Sequence, residues 1–168
     1  MKSNRKPVVR KRETFEEFLK SKQLSYEEHI DWQGRKNLYL KSVDRLYDQI
    51  GRWLKPYEEK SLLNINDDEM EICELIVGPY KVKRRDIFLG NSIISLIPQG
   101  TLIVGSVGRV DIQGSKGALL IFETEWNVWR MGFKTIIGSK RTWSFNKQSF
   151  QEALRTVIDG YDEKAILD

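Results

Sequence analysis

The apolar residues Tyr39, Val43, Leu46, Tyr47, Ile50, Trp53, Leu54 and Tyr57 recur every three or four positions, which commits residues 35–57 to one long amphipathic helix. About 20 helical residues rise about 30 Å, the width of a small domain, so the rest of the chain can pack along this stripe. The intervening positions are polar, and Asp48 precedes Arg52 by four residues, the order that favours a helical ion pair. Pro56 stops the pattern because it has no N–H to donate. Upstream, Thr14 with Glu17 and Ser25 with Glu28 each have capping-box spacing, predicting two short helices within an appendage over 13–34, with Gly34 as a break or bend.

From about residue 69 the apolar period falls to two, and the chain reads as antiparallel strands up to residue 145. A first strand over 70–77 is closed by Gly78-Pro79. A second over 81–89 turns at Gly90-Asn91 into a third over 92–97. Pro98-Gln99-Gly100 reads as a turn, and 101–113 as one strand in which Gly105 and Gly108 mark bulges or bends, so the expected sheet curls strongly, as a partial barrel. Residues 118–125 lack a polar face and belong at the centre of the sheet. In the last pair, 128–135 and 141–145, an odd connection places Trp143 opposite Phe133 and keeps the aromatic face intact. Asn146 then caps a helix over 146–159 whose stripe is Phe150, Ala153, Leu154, Val157 and Ile158, ending at Gly160. The predicted fold is α+β: N-terminal helices, about six or seven curled antiparallel strands and a closing helix. One domain spans 13–160, between a disordered basic tail over 1–12 and a loose C-terminal tail over 161–168.

Composition narrows the function classes. A chain of 168 residues that is 40% hydrophobic and holds five Trp can bury a core. The single Cys73 makes no internal disulfide and, with only His29 beside it, supplies no zinc set. No run of 18 apolar residues exists and the basic N-terminus precedes no apolar segment, so a soluble cytoplasmic protein outside the membrane is expected. The net charge of +4 is a property of the tail: Lys2, Arg5, Lys6, Arg10, Lys11 and Arg12 precede the first acid, which leaves the remaining chain at −2.

Three sets of residues bear on chemistry. The glycines at 105, 108, 114 and 117 lie between strands and lack nucleotide-loop spacing. Asp111, Glu123 and Glu125 on neighbouring strands suggest a metal-dependent hydrolase, but a two- or four-residue turn at 114–117 pairs 111 with 120 and puts Glu123 and Glu125 on the opposite face from Asp111. Alternation gathers Arg130, Lys134, Lys140 and Arg141 on the solvent side of the last hairpin, with Lys116 at a neighbouring tip and Trp126 at a corner. Trp129 and Trp143 point inward. The expected function is non-catalytic: a cofactor-free module that binds nucleic acid or an acidic protein through the tail and this hairpin face. The alternatives are an interaction or structural subunit using the helical region, and the hydrolase.

Overall fold

The computed structural model describes residues 13–27, 30–101, 106–133 and 141–160, and the chain forms two compact units that part between Asp31 and Trp32. In the first unit, α1 (Phe15–Glu27) carries the expected capping box: the Thr14 N–H donates to Glu17 at 2.8 Å and the Glu17 N–H to Thr14 Oγ1 at 3.2 Å. The helix continues through Ser25, so the second start expected there is not made. Glu28 and His29 lie outside the described residues.

The second unit opens with α2 (Trp32–Glu58), which takes Gly34 into its first turn in place of the expected break. Seven strands follow, β1 (Asn64–Glu74), β2 (Gly78–Leu89), β3 (Ser92–Gly100), β4 (Gly108–Gly114), β5 (Gly117–Glu125), β6 (Val128–Phe133) and β7 (Thr142–Ser144), hydrogen-bonded in chain order as an antiparallel meander. The fold is α+β, but the sheet is neither closed nor strongly curled, which corrects the expected partial barrel. That curl depended on glycines inside one long strand. Instead β3 ends at Gly100, and Gly108 begins β4; Gly105 is outside the described residues.

Two further differences have local causes. Pro98 lies within β3 because β2 pairs with β3 only as far as Leu96, so the missing N–H is not needed on that side. Residues 64–68, which precede the first expected strand at 70–77, belong to β1 because Asp67 faces Arg85, Asp68 faces Arg84, Glu69 faces Lys83 and Glu71 faces Lys81 across the hairpin. Opposite charges directly across a strand pair contribute about 0.2–1 kcal/mol each, enough to outweigh the weak strand preference of Asn and Asp.

The turn after β4 has two residues: Gly114 pairs with Gly117, Ile112 with Leu119 and Asp111 with Leu120, as parity requires. In the last hairpin parity holds but the register differs by two residues, since Trp143 faces Met131 and Ser144 faces Arg130. The Phe133 and Trp143 rings meet edge-on as diagonal neighbours, 5.1 Å between centroids.

One face of the sheet carries the core. Ile87, Ile94, Leu96, Val110, Ile112, Leu119, Ile121 and Met131 are buried beneath Tyr39, Val43, Leu46, Tyr47, Ile50 and Leu54 of α2 and Phe150, Ala153, Leu154 and Val157 of α3 (Lys147–Asp159). Asn146 caps α3 reciprocally with Ser149, both bonds 2.9 Å long. Trp53 is half-buried between Phe145 and Phe150. No helix among the described residues is long and apolar enough to cross a membrane.

Glycine requirements give a direct test of this packing. A Cβ on Gly108 would stand 2.4 Å from the Tyr39 ring, whereas Gly78, at φ +80°, has open space around it. Gly108→Ala is therefore expected to destabilise by about 2–3 kcal/mol through overpacking and Gly78→Ala by about 1 kcal/mol through backbone strain alone. Urea unfolding of both variants, with equal losses, would show that Tyr39 does not close on β4.

Candidate functional site

Alternation along the strands builds the opposite, outer face of the sheet from a different set of residues. Register places Arg109 of β4 opposite Phe122 of β5, Phe122 opposite Arg130 of β6, and Arg130 opposite Ser144 of β7. The next rank is Asp111, Leu120, Gly132 and Thr142. A half-buried aromatic ring thus has an arginine on each side, on a face that neither α2 nor α3 covers.

The arginines of the sheet are not equivalent. Arg109 grips Asp111 at 2.6 and 3.0 Å, Arg85 grips Asp67 at 2.6 and 2.7 Å, and Arg84 shares Asp86 with Ser95. Arg130 donates instead to the Thr142 hydroxyl and carbonyl at 3.2–3.3 Å, and has no carboxylate partner among the described residues. Its guanidinium is oriented by neutral acceptors and retains its charge, the arrangement that suits an anion. Glu125, opposite Val128 at the turn end of this face, makes no ion pair with Arg130.

The structure separates the residues that the sequence suggested. Lys116 occupies the β4–β5 turn, where its N–H donates to the Val157 carbonyl and its ammonium lies 3.4 Å from the Asp159 carbonyl. Trp126 is in the β5–β6 turn, 37% exposed, at the other end of a nine-residue strand and so about 30 Å from Lys116. Arg130 lies between them. Arg141 is exposed immediately before β7; Lys134 and Lys140 lie outside the described residues. Trp129 is buried on the helix side, and Trp143 is half-buried beside Phe133. Phe122 and Thr142 are absent from the sequence-based set, although the parity that sends Leu119 and Ile121 inward sends Phe122 outward.

The three acids of the hydrolase reading do not converge. Asp111 is on the outer face with Arg109, whereas Glu123 faces inward opposite Gly108. Glu123 is fully buried: one carboxylate oxygen accepts from Ser42 Oγ at 2.7 Å and from the Asn127 N–H, and the other has no partner among the described residues. Among the described residues no group of three or more His, Cys, Asp and Glu side chains is placed to hold a metal ion. No family model matches the chain, and neither a curated protein nor a solved structure is similar to it.

Burial pushes the Glu123 carboxyl above its ordinary pKa, against the smaller opposing effects of the Ser42 hydroxyl, the Asn127 N–H and Arg45. The folded state therefore binds this proton more tightly than the unfolded state, and the associated stability is complete below the unfolded pKa and lost as pH rises through the folded one. In urea unfolding at a series of pH values, wild-type stability relative to Glu123→Gln is expected to fall from about pH 4 upward. A flat difference would mean that the carboxyl is not shifted.

Proposed function

We propose that the chain is a non-catalytic binding module for a polyanion, engaging it through the outer face around Arg130 and through the basic segment 1–12. The observation that carries this reading is the charge of Arg130, held by Thr142 without a carboxylate among the described residues, while Arg84, Arg85 and Arg109 each have an aspartate. Between residues 114 and 147, six bases (Lys116, Arg130, Lys134, Lys140, Arg141 and Lys147) stand against Glu123 and Glu125, and Glu123 is buried. Two weak sites on one chain raise each other's effective concentration at a shared partner. The single cysteine is consistent with action in a reducing cytoplasm.

A second reading, an interaction subunit using the helical region, is supported by the exposure of Phe15, Phe18 and Leu19 on α1. Salt separates the two, because phosphate contacts weaken steeply with ionic strength. Arg130→Glu and deletion of 1–12 are each expected to weaken heparin or nucleic-acid binding. Each also reduces the slope of log K against log salt, by about one unit for every phosphate that the protein no longer neutralises. Unchanged melting temperatures would accompany both. Absence of binding at low salt, or binding indifferent to both changes, overturns the proposal.

A further inference from the structure

We infer that the polyanion is single-stranded nucleic acid, with one base stacked on Phe122 and an adjoining phosphate at Arg130. This rests on the polyanion reading and adds a role for the aromatic ring between the two arginines. A Cβ built on Gly132 would lie 3.4 Å from Phe122 Cε1 and 3.7 Å from Thr142 Cγ2. The Phe122 ring thus extends over the glycine of the neighbouring strand, beside the threonine that holds Arg130.

The Phe122 ring is half-buried, so part of it meets solvent, and because every base has a π-face, stacking on such a ring tolerates sequence. Adjacent strands are about 4.8 Å apart, which keeps ring and guanidinium within the span of a single nucleotide. Arg109, on the other side of the ring, is committed to Asp111, so the charge with no carboxylate partner among the described residues of this row is that of Arg130. In a duplex the base faces are stacked on one another and closed to a side chain on a sheet face. The partner that matches both a π-face and a phosphate at this separation is therefore an unpaired strand.

The test compares ligands that share charge but differ in bases. Fluorescence anisotropy would measure binding to dT and rU strands of about 12 nucleotides, to a duplex of the same length, and to inorganic polyphosphate. Phe122→Leu, which keeps apolar bulk, is expected to weaken binding to both strands about tenfold and to leave polyphosphate binding unchanged, whereas Phe122→Tyr retains strand binding. Arg130→Gln is expected to weaken binding to strands and polyphosphate alike. A Phe122→Leu protein with wild-type melting that binds strands as before overturns the stacking site and leaves the polyanion reading intact. A duplex bound as tightly as the strand overturns the single-strand assignment, and no binding to any of the four ligands overturns both readings. Photocrosslinking of wild-type protein to a bromouridine strand needs no variant: the crosslink is expected within 117–125, and one confined to peptides outside β4–β7 overturns the inference.

Discussion

The buried guanidinium of Arg85 joins the two layers of the second unit. Two of its nitrogens hold Asp67 on β1, the third donates to the Tyr47 carbonyl on α2, and its carbon centre lies 4.8 Å from the Tyr47 ring centroid. Asp67 keeps part of its carboxylate in water, so the penalty of an unpaired buried charge falls on Arg85 when Asp67 is removed. Tyr47 extends the connection, donating its hydroxyl to the Leu96 carbonyl at 3.1 Å. Tyr39, on the same stripe, repeats the device: its hydroxyl donates to the Arg109 carbonyl at 2.6 Å and accepts from the Gly100 N–H at 3.1 Å. The stripe is thus a hydrophobic face with polar ends placed where the sheet has backbone groups to satisfy.

From this junction the β1–β2 hairpin extends beyond β3, which pairs with β2 only over residues 85–89. The protruding half is a two-stranded ribbon, and ribbons twist more than sheets. Its inward residues accordingly change parity, from Ile65, Arg85 and Ile87 near the base to Met70, Ile72, Tyr80 and Val82 beyond. The twist brings Glu74 to the end of β3, where its carboxylate accepts from the Thr101 N–H at 3.0 and 3.1 Å and from the Tyr80 hydroxyl. Glu74 and Glu123 are therefore buried acids with structural partners: one closes the end of the ribbon, the other the β5–β6 turn.

Much of this was legible in periodicity. The α2 and α3 stripes, the even parity of the turn after β4 and the inward tryptophans all follow from residues a few positions apart. What escaped depended on neighbours distant in sequence. Residues 64–68 look like loop until the basic run of β2 stands opposite them, and Pro98 looks like a turn until the loss of its β2 neighbour is known. The outer-face row was equally hidden, because it needs the registers of four strands at once. The same registers show why a count of bases could not identify the site: most arginines of the sheet are spent on aspartates, and only pairing in three dimensions tells which are not.

That pairing also removes the objection that the chain beyond its basic segment is slightly acidic. Five acids and no base lie in β1, at one edge of the sheet, and four of them face bases of β2. At about 4.8 Å per strand, the five strand spacings from β1 to β6 place these four about 24 Å from Arg130, roughly three Debye lengths at physiological salt. The field felt by a partner at β6 is then set by residues within about one such length, where Asp111 is neutralised by Arg109, Glu123 is buried and Glu125 is the exposed acid that opposes Arg130. An overall charge of −2 over residues 13–168 is therefore compatible with local attraction for an anion at Arg130, because a charge summed over the chain does not set the field beside one strand.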